Sequence, residues 1–412
     1  MIPLDEARAT VLARCQRLPV AEVPLADALG LVTAESVTAT ELVPPFANTA
    51  MDGFAVVAAD TAGATEERPV TLRVVGTVAA GSDGQVPMGP GEAVRIMTGG
   101  PLPPGADAVV MVERCRSHPG GDRVDIGVEV APGNHVRPAG DDLVPGDRVI
   151  DEGTTLRPGH LGILAGLGVE HVAVVRRARV AVCSTGDELV EGPVELAPGQ
   201  IRDSNRRTLL ALLDELGCDT VDLGIVRDDE DALRAVIQEA TTTCDALITS
   251  GGVSMGDFDL VKKVLDEMGD IEWMQVAIRP AKPLASGIVN GVPVFGLPGN
   301  PVSSMVSFEL FARPGLRQMM GHSDWGRTVV RAVVPEGFER SPDGKTHFAR
   351  VRLTVGDDGS VTARSAGGQG SHQLAAMALA DGLAVLPDGP GVAPGGQVPA
   401  IVIGDLSGPL PS

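Results

Sequence analysis

The sequence predicts an α/β multidomain protein: one parallel α/β domain, a β-rich domain before it, a small β domain after it, and a helical linker made from two separate pieces of chain. Three observations carry that prediction. From Arg179 onward, apolar strand-like runs alternate with amphipathic helical runs: ARVAVCSTG, SNRRTLLALLDELG, CDTVDLGIV, DEDALRAVIQEATTT, CDALITSGG and FDLVKKVLDEMG. Such alternation implies a parallel sheet with right-handed crossovers. On either side lie short β-prone runs punctuated by Gly and Pro. The length, 412 residues, suits two to four domains at roughly 100–200 residues each.

Taken in order, residues 3–18 space Leu4, Ala7, Val11, Leu12 and Leu18 as a first helix, and Leu25 to Leu31 read as a second, closed by Gly30. Residues 41–141 form the β-rich domain, with strands expected in VTLRVVGTVAAG, EAVRIMTG and DAVVMVE. The helical stretch PGHLGILAGLG starts at Pro158 and stops at Gly168, then leads into the strand HVAVVRR. Packed with the first two helices, it makes one linker domain from residues 1–40 and 142–178. The α/β domain spans 179–326, and the C-terminal β domain spans 327–412, with one short helix in SHQLAAMALA.

Charge narrows the function. Lys and Arg number 33 against 54 Asp and Glu, a formal net charge of -21. That field repels nucleic acid and anionic membrane surfaces. An anionic small molecule would therefore need backbone N–H donors, a few convergent cations or a bound metal ion. The five cysteines are widely spaced and form no CxxC pair, which argues against a disulfide framework and a Cys-ligated zinc. Asp5 and Glu6 stand where a signal peptide carries positive charge, and no apolar run reaches about 18 residues. A cytoplasmic protein is expected.

In parallel α/β sheets ligands bind beyond the carboxyl ends of the strands. The loops there are STGDEL, VRDD, TSGGVSMGDFD and GLPGNPVSS. Gly251, Gly252 and Gly256 bracket Ser254 and let the backbone turn its N–H groups toward an anion. Asp257 is explained equally by a helix N-cap. Asp259, with Asp228, Asp229 and Glu188, would gather carboxylates around one crevice, an arrangement that suits Mg²⁺ beside a phosphate. Pro298 and Pro301 shape GLPGNPVSS, and Ser303 and Ser304 open a helix; a plain structural turn accounts for this loop equally well. Arg279 and Lys282 in IRPAKPLASG are a local excess of positive charge. In the β-rich domain, Asp52 and Thr98 are the most plausible chemical residues. There is no HExxH, GxGxxG or P-loop, so a Walker-type ATPase and a standard dinucleotide site are disfavoured.

The segments NTAMDGFAV, MTGGPLPPGADAVV, VRPAGDD, STGDEL, RDSN, SGGVSMGDFD, RPAKP and GLPGNPVSS occur in this order. Together they closely resemble the molybdopterin molybdenumtransferase family, bacterial enzymes related to the E domain of gephyrin, from near residue 4 to near residue 405. The resemblance implies a molybdopterin-binding-type α/β domain and a homodimer whose site lies between the α/β domain of one subunit and the β-rich domain of the other. It implies a reaction in which molybdate is inserted into adenylylated molybdopterin with release of AMP and a requirement for Mg²⁺. It also implies transient contact with a molybdopterin adenylyltransferase and with apo-molybdoenzymes.

Carried over, the catalytic residues are Asp52, Thr98, Asp142, Glu188, Asp228 and Asp259, with Glu188, Asp228 and Asp259 the metal candidates. The substrate-binding residues are Gly251, Gly252, Ser254, Gly256, Lys282, Pro298, Pro301, Arg350 and Ser371, the last two as oxyanion contacts of the C-terminal domain. Two departures stand out: Ala281 where the family commonly has Gly, and Ser286 near a position where Phe is usual. Two rivals differ in what they need. An adenylyltransferase would share the α/β domain but not need the flanking β domains, and a catalytically silent scaffold would not need Asp228, Asp259 and Lys282.

Overall fold

A computed structural model of the chain describes residues 1–252 and 260–406. The alternating region forms a six-stranded sheet from Arg179–Thr185 (β1), Asp219–Val226 (β2), Ala246–Ser250 (β3), Gly269–Gln275 (β4), Pro283–Val289 (β5) and Val292–Leu297 (β6). Its order is β2-β1-β3-β6-β5-β4. The first four strands in that order pair in parallel, as the helical crossovers require. Pairing of β5 with β6 and β4 is antiparallel, a departure from the all-parallel expectation. The physical reason is local: only Asn290 and Gly291 separate β5 from β6, and a link that short permits only a hairpin. Asn290 and Gly291 both take positive φ, +51° and +82°, as such a two-residue turn demands.

Both faces of this sheet are buried. Helices Glu230–Thr243 and Leu260–Met268 cover one face through Leu233, Ile237, Val261 and Leu265. The other face packs against Asn205–Leu216 and the long helical segment from Pro301 to Met319 through Leu209, Leu213, Phe308 and Phe311. That segment widens into a π-turn at Phe308–Ala312.

The first helix is shorter than expected, Leu4–Ala13, and packs here rather than with the linker: Ala7, Val11 and Cys15 join the α/β core. Gln318 Nε2 donates to the carbonyls of Leu12 and Cys15 at 2.9 and 2.7 Å, fixing the helix end. The expected second helix is a single 3-10 turn, Leu25–Asp27.

The linker is less helical than expected. It is a small antiparallel sheet in which Val20–Pro24 and Val32–Thr33 flank His171–Val175, with the helix Pro158–Gly166 closing its core through Leu164. Backbone pairing across about 150 residues of chain, from Val20↔Val175 to Pro24↔His171, makes one body of the two pieces. Between them, the β-rich unit is a six-stranded sheet with apolar side chains on both faces: Phe54, Leu72 and Val124 on one, Ala55, Val94 and Ile96 on the other.

The C-terminal strands close on themselves. Thr346–Val355 pairs with both Val361–Ser365 and Gly382–Leu386, so five strands form a barrel around Val351, Ala363 and Ala400. Ile278–Arg279, from the RPAKP segment of the α/β unit, adds to it in parallel beside Thr346 and His347. This pairing brings the cationic loop of one unit against the barrel of the next.

Candidate active site

Three cavities run in a row along the carboxyl edge of the sheet and onto the barrel. The inner one, about 300 Å³, lies over the ends of β1 and β3 and is walled by Ser184, Thr185, Ser250, Gly251, Glu188 and Asn205 among others. The middle one, about 320 Å³, is walled by Arg279, Lys282, Pro298, Lys345, Gln369 and Ser371. The outer one, about 420 Å³, includes Arg340, Asp343, His347 and Arg350. Asn300 belongs to both the inner and middle cavities, and Arg279, Pro280 and Gln369 to both the middle and outer ones. The three therefore adjoin and share walls.

Local geometry explains the inner cavity. Gly251 ends β3 with φ +95°, and a Cβ there would stand 2.9 Å from the Thr185 carbonyl oxygen; only glycine avoids both problems. Asn205 opens a helix and spends both amide hydrogens on the cavity's walls, donating to Ser250 Oγ at 2.9 Å and to the Gly299 carbonyl at 2.8 Å. It thus ties the end of β3 to the GLPGNP loop. Below it, Asp203 accepts from Ser184 Oγ at 3.1 Å and from Arg206 Nε at 3.0 Å, with both side chains of this ion pair buried. Arg206 reaches on to Asp222, and its Nη2 lies 2.7 Å from Glu191 in an ion contact without hydrogen-bond alignment.

The middle cavity has a different character. Arg279, Lys282 and Lys345 contribute three cations, of which Lys345 is paired with Asp343 at 3.2 Å, and among the described residues no carboxylate lines the cavity itself. In a chain of net charge -21, that is a local reversal of the field. Ala281, beside Lys282, has φ +73°, the left-handed region that the expected glycine would occupy without strain. The substitution therefore leaves the backbone path intact and places a methyl in the wall.

Of the residues expected from the sequence, Glu188, Gly251 and Pro301 line the inner cavity and Lys282, Pro298 and Ser371 the middle one. Gly252 follows Gly251 with φ +66°. Ser254, Gly256 and Asp259 lie outside the described residues. Asp228 is exposed; its backbone N–H donates to Asp187 Oδ1 at 3.3 Å, joining the loop after β2 to the loop that carries Glu188. Among the described residues no group of three His, Cys, Asp or Glu side chains is close enough to hold a metal ion.

Arg350, expected as an oxyanion contact, lines the outer cavity and also braces a loop. Its side chain is buried, and Nη2 donates to the carbonyls of Gly368 and Gly370 at 2.8 and 3.1 Å. Its backbone N–H donates to Gln369 Oε1 at 2.9 Å. It therefore shapes the 368–371 loop that supplies Gln369 and Ser371, and burial lowers its pKa.

Asp52, Thr98 and Asp142 line none of the three cavities. Asp52 and Thr98 sit together on loops of the β-rich unit, and Asp142 lies where the chain leaves it. Asp52 Oδ1 accepts from both the backbone N–H and the hydroxyl of Thr98 at 2.7 Å, and these bonds hold its carboxyl below the usual range. The Asp142 N–H donates to the Val43 carbonyl at 2.9 Å. Around them Phe46, Met51, Met97 and Val144 are exposed.

Sequence reasoning did not single out Asn205, Asn300, Lys345, Gln369 or His372 as site residues. The signal for Asn205 was present in RDSN, and that for Gln369 and His372 in GQGSHQL, but nothing in either run says which side chains face a cavity.

The comparisons agree with the geometry. Residues 2–168 match the model of the MoeA N-terminal region (domain I and II), 181–318 that of a probable molybdopterin binding domain, and 332–403 that of the MoeA C-terminal region (domain IV). The chain is 41% identical over 372 residues to molybdopterin molybdenumtransferase 2 of Mycobacterium tuberculosis, covering 89% of this chain and 90% of that one. It is 35% identical to the Haemophilus influenzae molybdopterin molybdenumtransferase over 94% of both chains. A crystal structure of a molybdopterin biosynthesis moeA protein from Pyrococcus horikoshii OT3 superposes with a TM-score of 0.82 at 27% identity, covering 98% of this chain and 100% of that one.

Proposed function

The chain belongs to the molybdopterin molybdenumtransferase family, and from that premise we propose that it inserts molybdate into adenylylated molybdopterin, releasing AMP and forming the molybdenum cofactor. The observation that carries the proposal is the middle cavity, lined by Arg279 and Lys282, with Lys345 paired to Asp343 beside them, and by no carboxylate among the described residues. Molybdate is a dianion, and a cationic pocket adjoining a second pocket is what two negatively charged reactants need in order to meet.

The inner cavity, whose wall Asn205 holds by tying Ser250 to the Gly299 carbonyl, offers the Thr185 and Ser204 hydroxyls to the phosphate-bearing substrate. Donors fixed in this way stabilise charge on phosphate without having to reorganise. Lys282 and Ser371 hold the oxyanion beside it, and Pro298 and Pro301 keep the separating loop rigid. The donor chemistry of Glu188 and Asp228 suits Mg²⁺, a hard cation that takes one or two carboxylates together with substrate phosphates. These two residues, with Asp259, would hold it, and the ion would neutralise phosphate charge. Arg279 adds to the pull on molybdate.

Asp52, Thr98 and Asp142 act on this reading from a second subunit. The exposed Phe46, Met51, Met97 and Val144 around them mark a face that a partner copy covers, which makes a homodimer the working unit. The working divisions are those expected, 1–40 with 142–178, 41–141, 179–326 and 327–412, except that the helix Leu4–Ala13 goes with the α/β unit. Among the described residues no helix is long and apolar enough to cross a membrane. A cytoplasmic location, with transient hand-over from a molybdopterin adenylyltransferase and to apo-molybdoenzymes, completes the proposal.

The test mixes purified protein, adenylylated molybdopterin, molybdate and Mg²⁺, and follows AMP together with activation of an apo-molybdoenzyme. Molybdate-dependent AMP release, lost in Lys282→Ala, is the expected result. AMP release indifferent to molybdate would overturn the assignment.

A further inference from the structure

The inner cavity is poor in positive charge for a site that takes a phosphate. Among the described residues lining it, Arg202 is the one guanidinium or ammonium group. Its position is set by a short parallel ribbon, Leu189–Val190 beside Ile201–Arg202, with Leu189 opposite Ile201 and Val190 opposite Arg202. The Ile201 N–H donates to the Glu188 carbonyl at 2.8 Å and the Asp203 N–H to the Val190 carbonyl at 3.0 Å, which locks the ribbon at the cavity's mouth.

Neighbouring arginines are committed to acids: Arg206 to Asp203, Asp222 and Glu191, and Arg207 to Glu191. Arg202 differs. Its Nε donates to the Gly192 carbonyl at 3.2 Å and its Nη2 to the Val194 carbonyl at 2.7 Å, and it makes no ion pair among the described residues. Both acceptors are neutral and lie in the 191–200 loop that joins the ribbon's two strands. Among the described residues, the stretch 192–196 makes no hydrogen bond besides these two. Val194 and Leu196 are exposed, so burial of these side chains does not hold the loop down either.

A guanidinium bonds a phosphate oxygen more strongly than a neutral carbonyl, because both partners are charged, and in a two-pronged geometry that phosphate matches. We propose that Arg202 is a phosphate-binding residue of the inner cavity, parked on the Gly192 and Val194 carbonyls until a nucleotide-linked phosphate takes over its guanidinium and releases the 191–200 loop. The proposal rests on the reading that this cavity takes the phosphate-bearing substrate. It adds which cation meets the phosphate and what the loop does in response.

The experiment uses the full-length protein with AMP as the probe and adenosine as the phosphate-free control, titrated by calorimetry into the parent, Arg202→Ala and Arg202→Gln. Glutamine can still donate to a loop carbonyl but carries no charge, so it separates anion binding from loop tethering. Thermal melts establish that each variant is folded. Cleavage by a glutamyl endopeptidase at Glu195 reads the loop.

Both variants should bind AMP about 10- to 100-fold more weakly, the range for losing a charge-assisted hydrogen bond, with adenosine binding unchanged. Saturating AMP should speed cleavage at Glu195 in the parent, while Arg202→Ala should be cleaved fast with or without AMP. If Arg202→Gln binds AMP within about twofold of the parent, or if AMP leaves Glu195 cleavage unchanged, Arg202 only staples the loop and the proposal falls. If the parent binds neither AMP nor adenosine, the reading of the inner cavity falls first and takes this inference with it.

Discussion

Replacing Asp203 tests the frame on which the inner cavity is built. Its side chain is 1% exposed and that of its partner Arg206 2%. It accepts three hydrogen bonds: from Arg206 Nε at 3.0 Å, the Arg206 backbone N–H at 3.1 Å and Ser184 Oγ at 3.1 Å. Removing one member of a buried pair costs about 3–5 kcal/mol when the remaining charge is left alone. Arg206 is not left alone, because Asp222 and Glu191 remain beside it at 36% and 46% side-chain exposure. Their partial compensation brings the expected cost of Asp203→Ala to about 2–3 kcal/mol. Asparagine retains an acceptor for Ser184 and the backbone, so Asp203→Asn should cost about 1–2 kcal/mol.

The assay is thermal unfolding followed by the fluorescence of Trp273, which lies in β4 of the same sheet, in a Trp325→Phe background that silences the only other tryptophan. At about 2–4 °C per kcal/mol for a unit of this size, the alanine variant should melt about 4–12 °C lower and the asparagine variant about half as far. Melting of both variants within about 1 °C of the parent would refute the reasoning.

Two further outcomes are expected. Burial, reinforced by Arg317 and Arg313, pushes the His322 pKa down to about 4, so the folded protein holds it neutral where an unfolded chain would protonate it. Its contribution is complete above about pH 6.5 and is lost as pH falls from there toward about 4, up to about 3 kcal/mol. His322→Gln should flatten that window, read by Trp325, whose indole N–H donates to the His322 carbonyl at 2.6 Å. Gly251→Ala forces a Cβ onto the Thr185 carbonyl at positive φ, at a cost of about 1–2 kcal/mol from the backbone alone. It should lower AMP affinity and the Trp273 melting temperature together; an unchanged melt would show that the β3 terminus relaxes freely.

How much of this was legible in the sequence depended on how local each cause is. ARVAVCSTG and CDALITSGG announce buried strands ending in glycine, and the structure has them at β1 and β3 with Gly251 at positive φ. The antiparallel edge was missed because GDIEWMQ carries no mark of strand direction, which is set by the two-residue turn after β5. Where the first helix packs was hidden for another reason: Ala7 and Val11 need an apolar surface, and pattern alone does not say that Phe308 and Phe311 provide it. Lys282 was readable as a local excess of charge. Arg350 was readable as a cation, yet its use depends on carbonyls 18 and 20 residues away. Asn205 drew no attention because a polar residue at a helix start is ordinary until Ser250 and Gly299 arrive beside it.

The pairing of Val20–Pro24 with His171–Val175 has a mechanical outcome for everything inserted between those strands. Nearer the β-rich unit the same two stretches of chain stay paired, Val37–Thr38 with Arg148–Ile150 and Val43 with Leu143, so the unit is suspended by two cords and not one. A single protease cut inside it, in the exposed 65–68 turn for instance, would leave both fragments clasped to the same ribbon. Twisting about the tether is resisted for the same reason, while bending across the ribbon remains open, so the unit would swing like a gate on its post.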